Sequence, residues 1–315
     1  MSALATPSRT MAAAAVEAPG QVRLRQVDRP EPGPGQVLVR LEGCGVCGSS
    51  LPVWEGRSWF DYPLAPGMPG HEGWGMVEEH GPGAGGLSPG TRVALLSQRA
   101  FAEYDVADAR HVVTLPAGLD GTPFPGEALG CAVNVVRRSD IRPRDRVAVV
   151  GVGFLGALLV ALAIDAGARV TAVSRRRTSR ALARRLGAEC AIAPEDAEGE
   201  YDRVLEAAGV QETLDLAGRL TAVGGRLVIA GFHQDGARTV DLQLWNWRGL
   251  DVVNAHERDP RTCVAGMRTA VELVAAGRLD LEPMLTHSFP LDRSHEAFEA
   301  ARTRPAGFLK AVVLT

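Results

Sequence analysis

Residue types that could do chemistry stand at well separated points of this chain. The run Gly151-Val152-Gly153-Phe154-Leu155-Gly156 follows the apolar stretch Arg146–Val150. Glycines so spaced, after a strand and opening a helix, suit a dinucleotide: Gly151 permits a tight turn, Gly153 lets backbone approach a pyrophosphate, and Gly156 allows close helix packing. Phosphate charge would then sit against the N–H groups that start the helix, including those of Phe154 and Leu155. A glycine-rich turn that binds nothing is the plainer alternative, and the flanking strand and helix pattern argues against it. Elsewhere Cys47, His71 and Glu127 offer a thiol, an imidazole and a carboxylate, side chains that hold divalent metals. Taken singly, they also read as a buried thiol, a core histidine and a surface acid.

The strand after the glycine helix, Arg169–Val173, runs into Ser174-Arg175-Arg176-Arg177. A carboxylate at its end would accept from the ribose 2′-hydroxyl of NAD and repel the 2′-phosphate of NADP; none is present. Ser174 can hydrogen-bond a phosphate, and Arg175 or Arg176 can pair with it. NADP(H) is therefore favoured over NAD(H), the alternative being that these arginines only form the solvated start of a helix.

The elements that must position these groups fall into two patterns. Residues 21–25, 36–41, 74–79, 91–96 and 100–105 read as short strands punctuated by Gly- and Pro-rich turns, a β-rich domain. After about residue 132 strands and helices alternate: strands 146–150, 169–173, 203–206, 226–230 and 250–253, with helices 156–166, 176–186 and 212–220. That alternation makes an α/β domain with a parallel, doubly wound sheet. Helices 262–276 and 294–301 and a strand at 310–314 follow. The expected division is an unstructured extension over 1–10, with Met11 an alternative start; a catalytic domain over 11–132 plus 254–315; and a cofactor domain over 133–253.

Bulk properties exclude several function classes. A formal net charge of -3 gives nothing global to attract nucleic acid or an anionic membrane. No apolar run reaches the roughly 18 residues of a membrane span, and the N-terminus lacks a signal-peptide pattern. Five scattered cysteines are a poor disulfide framework, so a reducing cytoplasm is the expected setting.

The chain resembles the zinc-dependent medium-chain dehydrogenase/reductase superfamily, the alcohol dehydrogenase-like enzymes, over essentially its whole length after Met11. The matching segments are Gly45-Val46-Cys47-Gly48-Ser49, Gly70-His71-Glu72-Gly73, the region of Glu127, the Gly151 motif and Ala230-Gly231-Phe232. The resemblance implies a GroES-like β-rich catalytic domain and a Rossmann cofactor domain. It implies one catalytic zinc held by Cys47, His71 and Glu127, with Cys131 the rival third ligand; the carboxylate is the pattern of the polyol and sugar dehydrogenases. It implies that Ser49 accepts the substrate's proton, that backbone near Ala230, Gly231, Phe232 and Val252 holds the carboxamide, and that Lys310 approaches the pyrophosphate. Implied partners are a small-molecule alcohol or carbonyl substrate and further copies of the chain, as a homodimer or homotetramer.

Three departures from the family pattern stand out. Ser50 occupies the place of an acid that steadies the zinc environment, Glu72 being the acid left nearby. Pro52 replaces a histidine that often completes the proton relay. The four-cysteine lobe of a second, structural zinc is missing. Trp54, Trp59 and Phe60 could line a substrate mouth or simply pack the β-domain, and Asn134, His233 and Gln234 would suit a hydroxylated substrate. Two other functions compete: a zinc-independent NADPH-dependent quinone or enone reductase of the same superfamily, and a non-catalytic NADP(H)-binding protein.

Overall fold

The computed structural model describes residues 9–315 and divides into two units, one comprising the chain up to residue 127 with 287–315, the other 128–286. In the first unit β1 (Thr10–Ala18) pairs antiparallel with β2 (Gln21–Asp28). β3 (Gln36–Gly45) is the spine of a larger sheet, with Val37, Leu38, Val39 and Leu41 all buried and Arg40 its one exposed residue. After the short helix α1 (Ser50–Glu55) come β4 (Gly73–His80), β5 (Arg92–Leu95), β6 (Tyr104–Asp108) and β7 (Val112–Thr114). β3 pairs antiparallel with both β4 and β6.

Helix α2 (Gly126–Ser139) carries the chain into the second unit. There β8 (Arg146–Val150), α3 (Phe154–Asp165), β9 (Arg169–Val173), α4 (Arg177–Arg185), β10 (Cys190–Ile192), β11 (Tyr201–Glu206), α5 (Gln211–Leu220), β12 (Thr221–Ile229), α6 (Leu242–Arg248) and β13 (Asp251–Asn254) follow. The sheet order is β10-β9-β8-β11-β12-β13 and every pairing is parallel. Two halves thus diverge between β8 and β11, the switch point at which such sheets bind ligands beyond the carboxyl ends of their strands. α3 is apolar on all faces up to Ile164, with only Asp165 at its end charged and exposed, and seven of its residues from Gly156 to Ala163 are buried.

α7 (Pro260–Ala275) closes this unit. Residues 254–286, which the expected division gave to the catalytic domain, pack in this unit with the parallel sheet. The reason is packing, since Asn134 on α2 donates to the Thr262 carbonyl at 3.1 Å and Arg278 pairs with Asp165 at 2.7 Å. β14 (His287–Pro290), α8 (Ser294–Thr303) and β15 (Ala311–Leu314) then complete the first unit, β15 pairing antiparallel with the end of β3. Of the expected extension, residues 1–8 lie outside the described residues. Thr10 already belongs to β1, and the Arg9 carbonyl accepts from the Arg29 N–H at 2.9 Å. Among the described residues no helix is long and apolar enough to cross a membrane.

Candidate functional site

Strand register brings the first site together. Cys44 on β3 lies opposite Gly73 on β4, so the chain leaving β3 runs beside the chain entering β4. Cys47 and Ser49 sit on the first of these segments, His71 and Glu72 on the second. Ser49 Oγ donates to Cys47 Sγ at 3.2 Å and lies 3.4 Å from His71 Nε2. His71 Nδ1 is held by the Pro69 carbonyl at 2.8 Å, so the ring carries a proton on Nδ1 and presents Nε2 to the thiol and hydroxyl. One ligand atom from each of Cys47, His71 and Glu72 falls within 4.8 Å of the other two.

The local field favours a cation here. Burial by itself pushes the His71 imidazolium down, but the hydrogen bond and charge of Cys47, then the charges of Glu127 and Glu72, override it and hold its pKa at about 10. A site that stabilises positive charge beside a thiol and an imidazole, with one ring nitrogen already anchored, suits a divalent metal. Glu127, at the start of α2, bears on His71 electrostatically and stands outside the compact trio. Cys131 lies a turn further along the same helix. Ser50 is buried, and its hydroxyl donates at 3.4 Å to the Pro69 carbonyl that also holds His71. A neutral backbone oxygen thus does the orienting where the family pattern has a carboxylate nearby.

Lys310, expected near a cofactor pyrophosphate, is found in an ion pair. Its ammonium is buried and lies 2.7 and 2.6 Å from the two carboxylate oxygens of Glu72, which is itself fully buried. Burial pushes this ammonium down, but the Glu72 and Cys47 charges raise it above the ordinary lysine value, so the ammonium stays charged. It is the chain's only lysine. A Cβ on Gly45 would fall 1.9 Å from Glu72 Oε2 and 3.1 Å from Lys310 Cε, so bare backbone makes room for the pair. Sequence reasoning missed this contact, since 238 positions separate its partners.

The second site is made of backbone. Gly151 closes β8 with φ +97, and a Cβ there would meet Ala208 at 2.8 Å. A Cβ on Gly156 would lie 1.9 Å from the Gly151 carbonyl, whereas one on Gly153 meets nothing within 4 Å. The outer glycines are thus needed for packing, and the middle one faces open space at the start of α3, next to Phe154 and Leu155. Ser174 is buried at the end of β9 and accepts from the Arg176 N–H at 3.3 Å. Arg175 is exposed and Arg176 half-buried, while Arg180, which the motif did not flag, ties the turn by donating to the carbonyls of Ser174 and Arg175 at 2.6 and 2.9 Å. Ala230 and Gly231 follow β12 with their N–H groups on the Glu206 carbonyl, and Phe232 is exposed.

Other candidates have structural duties. Trp54 is buried and stacked on Phe298 with ring centroids 5.9 Å apart, so it packs the core; Trp59 is exposed. Asn134 donates to the Thr262 carbonyl, and His233 is hydrogen-bonded to Glu206.

A doubly wound parallel sheet with a glycine turn after β8, joined in one chain to a β-rich unit carrying a thiol–imidazole cluster, is the architecture of the two-domain medium-chain dehydrogenases. Residues 33–117 match the family described as the alcohol dehydrogenase GroES-like domain, and residues 155–274 match the zinc-binding dehydrogenase family. The chain belongs to the zinc alcohol dehydrogenase-like medium-chain dehydrogenase/reductases. It is 28% identical to sorbitol dehydrogenase of Gallus gallus, covering 92% of this chain and 93% of that one. It is 28% identical to L-threonine 3-dehydrogenase of Pyrococcus horikoshii, over 90% and 93%. A thermostable alcohol dehydrogenase from Pyrobaculum aerophilum superposes with a TM-score of 0.85 at 29% identity, over 97% and 100% of the two chains. A protein assigned as a zinc-binding dehydrogenase of Sinorhizobium meliloti, bound to NADP, gives 0.86 at 28%, over 98% and 100%. These relatives are dehydrogenases, and the chain is an oxidoreductase of their kind.

Proposed function

We propose that this chain is a zinc-dependent alcohol or polyol dehydrogenase that uses NADP(H) in preference to NAD(H). The observation that carries this reading is the convergence of Cys47 Sγ, Ser49 Oγ and His71 Nε2, with the ring oriented from behind by a backbone carbonyl. Relatives that act on sorbitol and threonine support a hydroxylated substrate, and the Pyrobaculum enzyme has also been solved with cobalt and zinc bound. Cys47, His71 and Glu127 would hold the metal; Glu72, though nearer, is neutralised by Lys310. Bound there, zinc would supply Lewis-acid stabilisation of the substrate oxygen.

Ser49 Oγ, between the thiol and the imidazole, would accept the proton of the substrate hydroxyl. With Pro52 in place of a relay histidine, that proton leaves through water. A nicotinamide dinucleotide bound there would supply the acceptor for the alcohol carbon's hydride, the overall change being alcohol and NADP⁺ to carbonyl, NADPH and a proton. Ser174 Oγ, which here only accepts from a backbone N–H, and the Arg175 and Arg176 guanidiniums would take the 2′-phosphate. Phe154 and Leu155 would turn their N–H groups to the pyrophosphate. An NADP-bound relative supports this choice.

We further propose a cytoplasmic homodimer or homotetramer. Supporting it, β13 ends its sheet with an unpaired edge, Val252 on it is 39% exposed and Trp247 on α6 is 87% exposed. The decisive experiment measures metal per chain, then screens polyols, sugars and aromatic alcohols for reduced-nicotinamide absorbance with NADP⁺ and NAD⁺. Turnover that tracks one zinc per chain is expected. Activity on quinones or enones after complete metal removal would favour the zinc-free reductase instead, and cofactor binding without turnover on any substrate would favour the non-catalytic protein.

A further inference from the structure

Glu206 is the last residue of β11, and in register it stands between Val150, which precedes Gly151, and Ile229, which precedes Ala230. It lies at the switch point of the sheet and is completely buried. One carboxylate oxygen, Oε1, accepts from the N–H groups of Ala208 and Gly209 at 2.8 Å each and from Thr213 Oγ1 at 2.7 Å. The other, Oε2, is 3.1 Å from His233 Nε2. Arg238 Nε lies 2.9 Å from His233 Nδ1, and a guanidinium can only donate. His233 Nδ1 must therefore accept, which leaves the ring proton on Nε2, directed at Glu206. Arg238 also donates to the Gly209 carbonyl at 3.0 Å and pairs with Asp235.

The consequence is a bracket between two turns. The turn after β11 is held from below by Oε1, the turn after β12 by Oε2 through His233, and Arg238 straps the second back onto the first. Contact is close: a Cβ on Gly231 would fall 2.5 Å from Glu206 Oε2 and 2.3 Å from the Gly209 nitrogen. Glu206 is fully buried while His233 and Arg238 are half-buried, and a buried carboxylate with both oxygens hydrogen-bonded rigidifies the backbone it holds. β8, β9 and β10 form one mononucleotide half of the sheet, β11, β12 and β13 the other. The glycine turn and Ser174 lie in the first half, so both bracketed turns lie where the second nucleotide belongs.

We propose that Glu206, with His233 and Arg238, is a positioning group that fixes the nicotinamide end of the dinucleotide site; the inference rests on the dinucleotide reading above. Its test compares a whole cofactor with half of one. Dissociation constants are measured by calorimetry for the wild type, Glu206→Gln and His233→Phe. The ligands are whichever of NADP⁺ and NAD⁺ the wild type binds more tightly, and the matching adenosine fragment, 2′,5′-ADP or 5′-AMP. The expected result is a loss of about tenfold for the dinucleotide, the scale of one lost charge-assisted hydrogen bond, with the fragment's affinity unchanged within about twofold. A merely structural role would weaken both ligands together, and that result, or no change in either, overturns the proposal. Should Glu206→Gln fail to fold, His233→Phe decides alone. Wild-type protein that binds neither dinucleotide sinks the dinucleotide reading and this inference with it, whereas a selective failure in the variants sinks only the inference.

Discussion

The thiol–imidazole cluster and the glycine turn solve recognition in opposite ways. Around Cys47, Ser49 and His71 the working atoms are all on side chains, delivered by two segments that only the β3–β4 pairing makes neighbours. From Gly151 to Gly156 the surface is backbone, and its shape depends on what the side chains lack. A site built from side chains breaks when an atom is removed; a site built from backbone breaks when one is added. Substitutions of the two kinds therefore test the two regions separately.

The largest effect is expected from Cys47→Ala, which should abolish turnover by releasing zinc while leaving dinucleotide affinity intact. Metal analysis beside calorimetry checks this, and zinc-dependent turnover in the variant would remove Cys47 from the ligand set. Next comes Lys310→Met, which strands the buried Glu72 carboxylate without its partner. Breaking a buried pair from one side costs about 3–5 kcal/mol, to be read as a lower denaturation midpoint. Stability unchanged within error would mean that the pair contributes nothing. Adding one carbon by Gly156→Ala places it against the Gly151 carbonyl, and overpacking of this sort costs about 1–3 kcal/mol. Here zinc content should stay at the wild-type level while cofactor affinity falls, the mirror image of Cys47→Ala. Loss of metal would contradict the separation of the two regions. The smallest effect is Ser174→Asp, which should shift the ratio of NADP⁺ to NAD⁺ specificity by about tenfold or more toward NAD⁺, equivalent to roughly 1.4 kcal/mol. An unmoved ratio of kcat/KM values would take the 2′-phosphate away from this turn.

Legibility differed along the chain for physical reasons. β8 and β9 occupy the spans expected of them, because each is a short apolar run whose neighbours on both sides are turns. α3 begins two residues before its expected start, at Phe154, since backbone after Gly153 is already helical. β1 went unread: Met11-Ala-Ala-Ala-Ala-Val16 has neither alternation nor bulky branched residues, yet all six are buried and paired with β2. Alanine is a poor strand former by itself, so pairing and burial decide there. The strand expected at 100–105 forms at Tyr104–Asp108, while Ala102 makes only an isolated bridge to Ala13. α6 was likewise invisible, a seven-residue helix capped by the Asp241 side chain.

From the amino-acid order alone came the two-domain α/β plan, the glycine turn between β8 and α3, the basic end of β9, and the candidacy of Cys47, Ser49 and His71. These are local patterns, set by the geometry of a few consecutive residues or by composition. Only the tertiary structure shows that Lys310 pairs with Glu72, that Glu72 lies beside Cys47 and His71, and that Glu206 reaches His233. Those outcomes depend on which buried charges meet across the fold. A buried charge without a partner is too costly to keep, but no local pattern names the partner when sheet register supplies it from a distant part of the chain.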